Sequence, residues 1–364
     1  MKLKQLLLIG MLIAAFGCKD GYIDDIKGAP QGADVTAPTI TFNYPLEGTS
    51  YRVLEDIAPI DINVKVSDDI EVAEVTINLD GEDLITLNKF IDYRNAIAAY
   101  TYETLENGDH ELTVTAVDGA GKTTTQSINF KKEEPYDPVY DGEMFYMPFN
   151  GDYTEQVTIT KAIVSGIPQF SDDFIAGGKS YLGANDAYLT FPTNKLTLSN
   201  NFSAVFWYKC NNTPDRSGIL TISAPDPAHP TAPNNRTKGL RLFRENIGGN
   251  QVVKLNVGNG TQESWFDGGA TAKATPGTWI HIAFVITPTG ATLYINGNVV
   301  STGTFPVDES KIDWAGCDIM NIASGAPRFL EWAHRSDLSN YDEMRLFNKA
   351  LTQAEIQAII NNED

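Results

Sequence analysis

The sequence predicts an all-β protein made of two β-sandwiches, with one short helix at the C-terminal end. Segments in which apolar and polar residues alternate recur along most of the chain, which is the pattern of strands with one buried face. Dipeptides that favour tight turns separate several of these segments, namely Asp80-Gly81, Asn107-Gly108 and Asp118-Gly119. A single helix-start signal follows near the end, where Thr352 and Glu355 have the spacing of a capping box.

Length and charge restrict the domain count and the partners. A chain of 364 residues exceeds the usual size of one hydrophobic core, so two domains are expected. The 47 acidic residues outnumber the 27 basic ones and give a formal net charge of -20. Such a surface argues against nucleic acid and anionic lipid as partners. It suits a neutral ligand or a cation, or serves solubility alone.

Residues 1–17 predict a secretory signal that ends at a lipidated Cys18. The apolar run Leu6 to Phe16 follows two lysines and is too short to span a bilayer. The stretch resembles bacterial lipoprotein signals, and the acidic residues after Cys18 resemble export tags of Bacteroides-type surface lipoproteins. This resemblance implies a lipid anchor in the outer membrane, facing the cell exterior, with a flexible tether over residues 18–36. A plain signal peptide with an incidental cysteine is the alternative.

Residues 37–132 predict the first sandwich, with about seven strands. Its alternating segments are Thr39 to Phe42, Ile60 to Val66, Val72 to Leu79, Ala98 to Tyr102, His110 to Val117 and Thr123 to Phe130. The stretches Val72 to Gly81 and Asn107 to Gly121 resemble bacterial immunoglobulin-like modules, which implies a spacer role, with ligand contact as the alternative. A linker over residues 133–139 is expected to end this domain, because its prolines stiffen the chain and cannot continue a strand ladder.

Residues 140–364 predict the second sandwich, whose closing helix buries Ile356, Ile359 and Ile360. Its expected strands are Met144 to Phe149, Ala187 to Phe191, Phe202 to Tyr208, Ile219 to Ser223, Leu240 to Arg244, Val252 to Val257, Trp279 to Thr287, Ala291 to Asn296, Ile319 to Ala323 and Asp342 to Phe347. The Pro-rich insertion Ala224 to Pro233, followed by Asn234 to Thr237, is expected to cover an edge strand, with a groove wall as the alternative.

Three stretches of this second region, in order, carry a family resemblance. They are Ala184 to Pro192 with Phe202 to Tyr208, then Gly277 to Val285 with Ala291 to Val300, and last Tyr341 to Ile356. Together they resemble the jelly-roll domains of the laminin-G (LamG) and concanavalin A-like superfamily, which implies that fold. The superfamily includes glycan binders, glycosidases, lyases and protein adhesins, so the resemblance alone does not choose among them.

Anchor, immunoglobulin-like stalk and jelly roll together resemble the surface glycan-binding lipoproteins of Bacteroides-type polysaccharide utilisation systems. The resemblance implies that the protein captures polysaccharide for a neighbouring outer-membrane importer, made of a porin-type transporter and a lid lipoprotein. An enzyme of the superfamily and a protein-binding adhesin are the alternatives. Glucanases of the superfamily usually carry an ExDxxE or ExDxE run, which this sequence lacks. We therefore expect a non-catalytic protein, with Glu263 and Asp267 the nearest approach to a carboxylate pair.

A glycan site should combine exposed aromatic rings with fixed polar side chains. Trp207 and Trp279 lie in apolar strand patterns and are expected to be structural. Trp265 lies in a polar, glycine-ended stretch and Trp332 between two strands, so we predict that both rings contact glycan from loops, with Trp314 a weaker third. Their expected polar neighbours are Arg328, His334, Arg335 and Asp337.

The sequence requires no cofactor. Asp342, Asp186 and Asp152 are candidate ligands for a structural calcium ion if the fold brings them together, and an acidic edge without metal is the alternative. A zinc site is improbable, because no CxxC or HExxH spacing occurs. Cys210 and Cys317 pair only if the fold brings their Cα atoms within about 7 Å.

Overall fold

The computed structural model describes residues 32–306 and 311–363, so the predicted signal segment and Cys18 lie outside the described residues. The chain forms two compact units. One comprises the described residues up to Tyr51 together with Ile57–Glu133, and the other comprises Arg52–Asp56 and the chain from Glu134 onward. Each unit has its own hydrophobic core. In the described residues, no helix has the length and apolar character needed to cross a membrane.

The first unit is a sandwich of a three-stranded sheet, ordered β1-β3-β6, and a five-stranded sheet, ordered β2-β8-β7-β4-β5. Its strands are β1 (Thr39–Tyr44), β2 (Ser50–Tyr51), β3 (Ala58–Ser67), β4 (Val72–Leu79), β5 (Glu82–Leu87), β6 (Asn95–Leu105), β7 (Gly108–Asp118) and β8 (Thr123–Lys132). The alternation in the sequence explains the packing, since Ile60, Ile62, Val64 and Val66 of β3 are all buried while the intervening residues face outward.

The second unit is built mainly from two eight-stranded sheets whose inner faces share one core. Its strands are β9 (Glu143–Met147), β10 (Thr154–Glu155), β11 (Thr160–Lys161), β12 (Ile163–Ser165), β13 (Gln169–Ser171), β14 (Ser180–Leu182), β15 (Tyr188–Pro192), β16 (Phe202–Lys209), β17 (Arg216–Ile222), β18 (Leu240–Ile247), β19 (Asn250–Gly258), β20 (Glu263–Phe266), β21 (Lys273–Ala274), β22 (Trp279–Thr287), β23 (Gly290–Ile295), β24 (Asn298–Thr304), β25 (Ile319–Ile322) and β26 (Asn340–Phe347). Short 3-10 turns occur at Gly269–Thr271 and Glu331–Ala333.

One of these sheets, which we call the helix-covered sheet, has the order β13-β14-β26-β16-β22-β23-β24, with β9 paired to β26. Helix α1 (Gln353–Glu363) packs against the outer face of this sheet through Ile356 and Ile359. The predicted capping box is confirmed, because the Thr352 amide donates to the Glu355 carboxylate at 2.7 Å and the Glu355 amide donates to the Thr352 hydroxyl at 3.3 Å.

The other sheet, which we call the loop-covered sheet, has the order β12-β15-β25-β17-β18-β19-β20, with β21 paired to β19. Two connections lie against its outer face: the insertion loop (residues 223–239, between β17 and β18) and the strap (residues 323–339, between β25 and β26). They also contact each other, since the Leu330 amide donates to the Pro233 carbonyl at 2.8 Å. Over the described residues, the predicted class, all-β with one short helix, is confirmed.

Two local predictions were wrong. The stretch around Trp265 is not a loop, because Glu263–Phe266 pairs with β19 and forms the terminal strand of the loop-covered sheet. The insertion does not cover an edge strand. Arg241 lies on β18, which is an interior strand of the sheet. Its guanidinium donates to the carbonyls of Asn235 and Lys238 and holds the loop over the sheet face.

Candidate functional site

Strand alternation gathers polar and aromatic side chains on the outer face of the loop-covered sheet. In the register of β18, β19 and β20, Phe243 lies opposite Lys254, and Asn256 lies opposite Trp265. Because side chains on a strand alternate between faces, Glu245 joins Phe243 on this outer face, and Asp267 joins Trp265. The inward positions of the same strands carry apolar core residues such as Leu242 and Leu255.

A cluster of rings supports two tryptophans from beneath. Trp265 meets Phe243 edge to face, with ring centroids 5.8 Å apart, and the Phe243 and His334 rings are 4.5 Å apart. The His334 ring stacks on Phe329 at 4.6 Å, and Phe329 meets Trp332 edge to face at 6.5 Å. Both indoles therefore rest on the same ring cluster while keeping 41% and 42% of their surface exposed, for Trp265 and Trp332 respectively.

Trp332 adopts a backbone conformation that bulky residues rarely adopt. Its φ is +55° and that of Ala333 is +63°, so two consecutive non-glycine residues lie in the left-handed region. Such strain persists only where the surroundings hold it, and it is frequent at ligand sites. The surroundings here include Arg236 of the insertion loop, whose guanidinium lies 5.0 Å from the centre of the Trp332 ring.

The two indoles and four charged side chains line one open cleft of about 450 Å³, which we call the aromatic cleft. Its lining residues are Arg216, Glu245, Lys254, Trp265, Asp267 and Trp332. The Lys254 ammonium lies 3.0 Å from the Glu245 carboxylate, and the His334 Nε2 atom lies 3.1 Å from it. These contacts lower the pKa of Glu245 to about 2, and the hydrogen bond with His334 contributes more than the contact with Lys254. The carboxylate is therefore ionised at neutral pH and already paired within the cleft wall.

Comparison with known families identifies both units. Residues 38–114 match the bacterial Ig domain family, and residues 182–357 match the concanavalin A-like lectin/glucanases superfamily. The chain contains a bacterial Ig domain followed by a concanavalin A-like domain. The Ig-like and LamG jelly-roll predictions are thereby confirmed, and the aromatic cleft belongs to the concanavalin A-like domain. A search of curated proteins gave no significant match.

Several solved structures are similar at low identity. Domain 4 of AbnA, a GH43 extracellular arabinanase from Geobacillus stearothermophilus in complex with arabinotriose, is 20% identical, with 60% of this chain and 97% of that chain covered and a TM-score of 0.45. The receptor binding domain of botulinum neurotoxin C/D mosaic serotype is 14% identical, with 61% and 52% covered and a TM-score of 0.44. The binding domain of Paraclostridial Mosquitocidal Protein 1 is 15% identical, with 61% and 52% covered and a TM-score of 0.45. The chain thus spans about half the length of the last two of these structures.

The concanavalin A-like domain brings some of the predicted site residues together and separates others. Trp265 and Trp332, which are far apart in sequence, line the aromatic cleft together. Trp314 lies elsewhere, partly buried against Phe202, with its indole N–H donated to the Ser199 carbonyl at 2.8 Å. Arg328 does not line the cleft, and its guanidinium donates to Asp318 at 2.6 Å.

The other polar residues predicted on the strap take different positions. Arg335 is exposed but lines a neighbouring cleft. His334 and Asp337 are fully buried, so neither reaches the surface to contact a glycan directly. His334 supports the ring cluster and Glu245 from below, and Asp337 accepts hydrogen bonds from Arg244, Tyr208 and Tyr341 inside the domain. We correct their expected role from ligand contact to support of the strap.

The three aspartates predicted to bind calcium do not form one group. Asp152 pairs with Arg52, and Asp186 lines the neighbouring cleft. Asp342 is fully buried and accepts the amides of Ile175 and Ala176 at 2.7 and 3.3 Å, and burial raises its pKa to about 7. Residues 32–306 and 311–363 contain one cluster of three or more groups close enough to share a metal ion, which lies in the Ig domain and consists of Asp34, Asp68 and Asp118. There the Lys122 ammonium already pairs with Asp34 and Asp118.

Three charged residues of the aromatic cleft, Arg216, Glu245 and Lys254, were not predicted from the sequence, and Asp267 was named only as half of a carboxylate pair. Glu245 and Lys254 occur in strands that are otherwise largely apolar, Leu240–Ile247 and Asn250–Gly258. A charged residue at alternate positions of a buried strand indicates an outer face with polar partners, and this signal was available. Cys210 and Cys317 are both buried and unpaired, and burial raises the pKa of each thiol to about 11.

Proposed function

We propose that the concanavalin A-like domain binds polysaccharide without cleaving it, and that the aromatic cleft is its binding site. The single observation that carries this proposal is that two half-exposed indoles line one open cleft together with paired charged side chains. Flat sugar faces pack on indole rings, while their hydroxyls need fixed donors and acceptors, which Arg216, Lys254 and Asp267 provide in the same cleft.

The charge states in the cleft favour binding over hydrolysis. Glycosidases need a carboxylic acid whose pKa is raised, with a second carboxylate about 5 to 9.5 Å away. In the aromatic cleft the pKa of Glu245 is lowered to about 2, so this group does not supply a proton at neutral pH. Glu263 and Asp267 are four residues apart along β20 and its end, which at about 3.3 Å per residue separates their Cα atoms by about 13 Å. The two carboxyl groups of a retaining or inverting glycosidase lie at most about 9.5 Å apart. The larger separation of Glu263 and Asp267 therefore disfavours a catalytic pair.

The cellular role that we propose follows from the predicted anchor and stalk. Cys18 would carry the lipid, the protein would face the cell exterior, and the Ig domain would serve as a spacer. A protein held in this way raises the local concentration of polysaccharide next to an outer-membrane importer. Individual sugar contacts are weak, so retention of a polymer would come from several contacts along one chain.

The first test removes each indole and measures retention of polysaccharide. Trp265→Ala and Trp332→Ala should each weaken affinity by about tenfold or more, as expected for a tryptophan at the centre of a binding surface. Affinity electrophoresis against laminarin, levan, xylan and mannan would identify a retained polymer, and calorimetry would give the affinities.

The matched control is Phe174→Ala, because Phe174 is 42% exposed, as is Trp332, but does not line the cleft. All three variants should unfold at temperatures close to that of the wild type. Unchanged retention in both tryptophan variants would remove the cleft from the proposal. Release of reducing ends from any polymer would favour the enzyme instead, and specific binding of a glycan-free protein would favour the adhesin.

A further inference from the structure

A second cleft of about 470 Å³ lies beside the aromatic cleft, and we call it the polar cleft. Its lining combines the polar side chains of Asn185, Asp186, Thr213 and Arg335 with apolar ones such as Leu338. The aromatic cleft contains two indoles, whereas none of the described residues that line the polar cleft is aromatic. Each has the volume of an ordinary small-ligand pocket.

The two clefts adjoin, because at two places in the chain residues that are close in sequence line different clefts. On the strap, Trp332 lines the aromatic cleft and the next residue, Ala333, lines the polar cleft. At the start of β17, Arg216 lines the aromatic cleft, while Pro214, two residues earlier, lines the polar cleft. Neighbouring Cα atoms are about 3.8 Å apart, so the clefts meet at a boundary only one or two residues wide.

The polar cleft offers hydrogen-bonding groups that the protein itself does not use. In the described parts of the chain, the side chains of Asn185, Asp186, Thr213 and Arg335 have no hydrogen-bond or ion-pair partner, and all four are exposed. In the aromatic cleft, by contrast, Glu245 is paired with Lys254 and His334. An amide, a carboxylate, a hydroxyl and a guanidinium together match the mixed donors and acceptors of sugar hydroxyls.

We infer that the two clefts are consecutive subsites of one groove, so that the ligand is an internal stretch of a polysaccharide chain rather than a single terminal sugar. This inference rests on the proposed function. The aromatic cleft holds one part of the chain by stacking, and the polar cleft holds the adjoining part by hydrogen bonds from Arg335 and Asp186. Affinity therefore rises with oligosaccharide length until both clefts are filled.

The experiment uses calorimetry with oligosaccharides of two to eight sugar units, prepared from whichever of laminarin, levan, xylan and mannan the wild-type protein retains. The wild type should bind the eight-unit ligand about tenfold or more tightly than the two-unit ligand. The double variant Asp186→Asn with Arg335→Ala should lose most of this gain and bind the two-unit ligand as the wild type does. Trp332→Ala should weaken both ligands. Asn is chosen at position 186 because Asp186 has a φ of +55°, which Asn tolerates.

Lys161→Ala is the charge control, since Lys161 is exposed and lines neither cleft. Thermal unfolding of every variant establishes that it is folded. Equal affinity for two-unit and eight-unit ligands, or an unchanged eight-unit affinity in the double variant, overturns the inference while leaving glycan binding intact. Failure of the wild type to retain any of the four polymers removes both this inference and the proposed function.

Discussion

Asp337 follows Trp332 on the strap, yet its carboxylate is completely buried. Arg244 donates to it from Nη2 at 2.9 Å, and both the Tyr208 and Tyr341 hydroxyls donate to it at 2.7 Å. Arg244 is equally buried, so the two charges compensate each other inside the domain. Asp337, a polar residue of the strap, thus holds the strap to the interior of the domain.

Replacement of Asp337 tests this structural role against direct ligand contact. Asp337→Asn leaves Arg244 as a buried charge without a counter-charge, which should lower the free energy of unfolding by about 3–5 kcal/mol. Urea unfolding of the purified protein measures the change. The fraction that remains folded should bind polysaccharide with nearly wild-type affinity. Normal stability combined with lost binding would instead assign Asp337 to the ligand.

At the scale of elements, sequence patterns predicted the sandwich and its closing helix because those depend on local alternation and capping. The period of two along Ala58–Ser67 and the capping box at Thr352 are both complete within a few residues. The site depends instead on tertiary contacts. Trp265 and Trp332 meet only because β20 and the strap pack on the same sheet face, and sequence spacing contains no such information. For the same reason the burial of His334 was not foreseeable from its polar neighbours.

The strap is held to the sheet face through Glu245, which makes its position sensitive to acid. The pKa of Glu245 is lowered from 4.5 to about 2 because the ionised carboxylate bonds with His334 on the strap and with Lys254. A carboxylate with a lowered folded-state pKa contributes stability in full above its unfolded value of 4.5. That contribution is lost as the pH falls toward 2.

Polysaccharide affinity should therefore be constant from pH 7 to pH 5 and should fall below about pH 4.5 as the strap loosens. Glu245→Gln should bind more weakly at pH 7 and should show a flatter dependence on pH. Calorimetry of both proteins at pH 7, 5 and 3.5 measures the affinities, and circular dichroism monitors folding. Other carboxylates titrate in both proteins, so only the difference between the two pH profiles is assigned to Glu245. Parallel pH profiles for the two proteins would exclude this role for Glu245.

At the scale of the whole molecule, the charge of the chain and the charge of the groove differ. The chain carries a formal net charge of -20. The aromatic cleft, by contrast, is lined by two cations and two carboxylates, and the polar cleft adds Arg335 and Asp186. The groove is thus locally balanced within an acidic protein. A balanced groove provides hydrogen bonds without attracting a polyanion, and the surrounding negative charge repels one.

This balance predicts selectivity for neutral polysaccharides and little dependence on salt. The affinity for a retained neutral polymer should change by less than about twofold between 0.05 and 0.5 M sodium chloride, because no counterions are released when uncharged hydroxyls bind. Polygalacturonate and heparin should show no retention at either concentration. Calorimetry at four salt concentrations gives the slope of log affinity against log salt, which should be close to zero. A steep negative slope, or retention of either polyanion at low salt, would mean that Arg216 and Arg335 act as anion-binding groups and that the ligand is an acidic glycan.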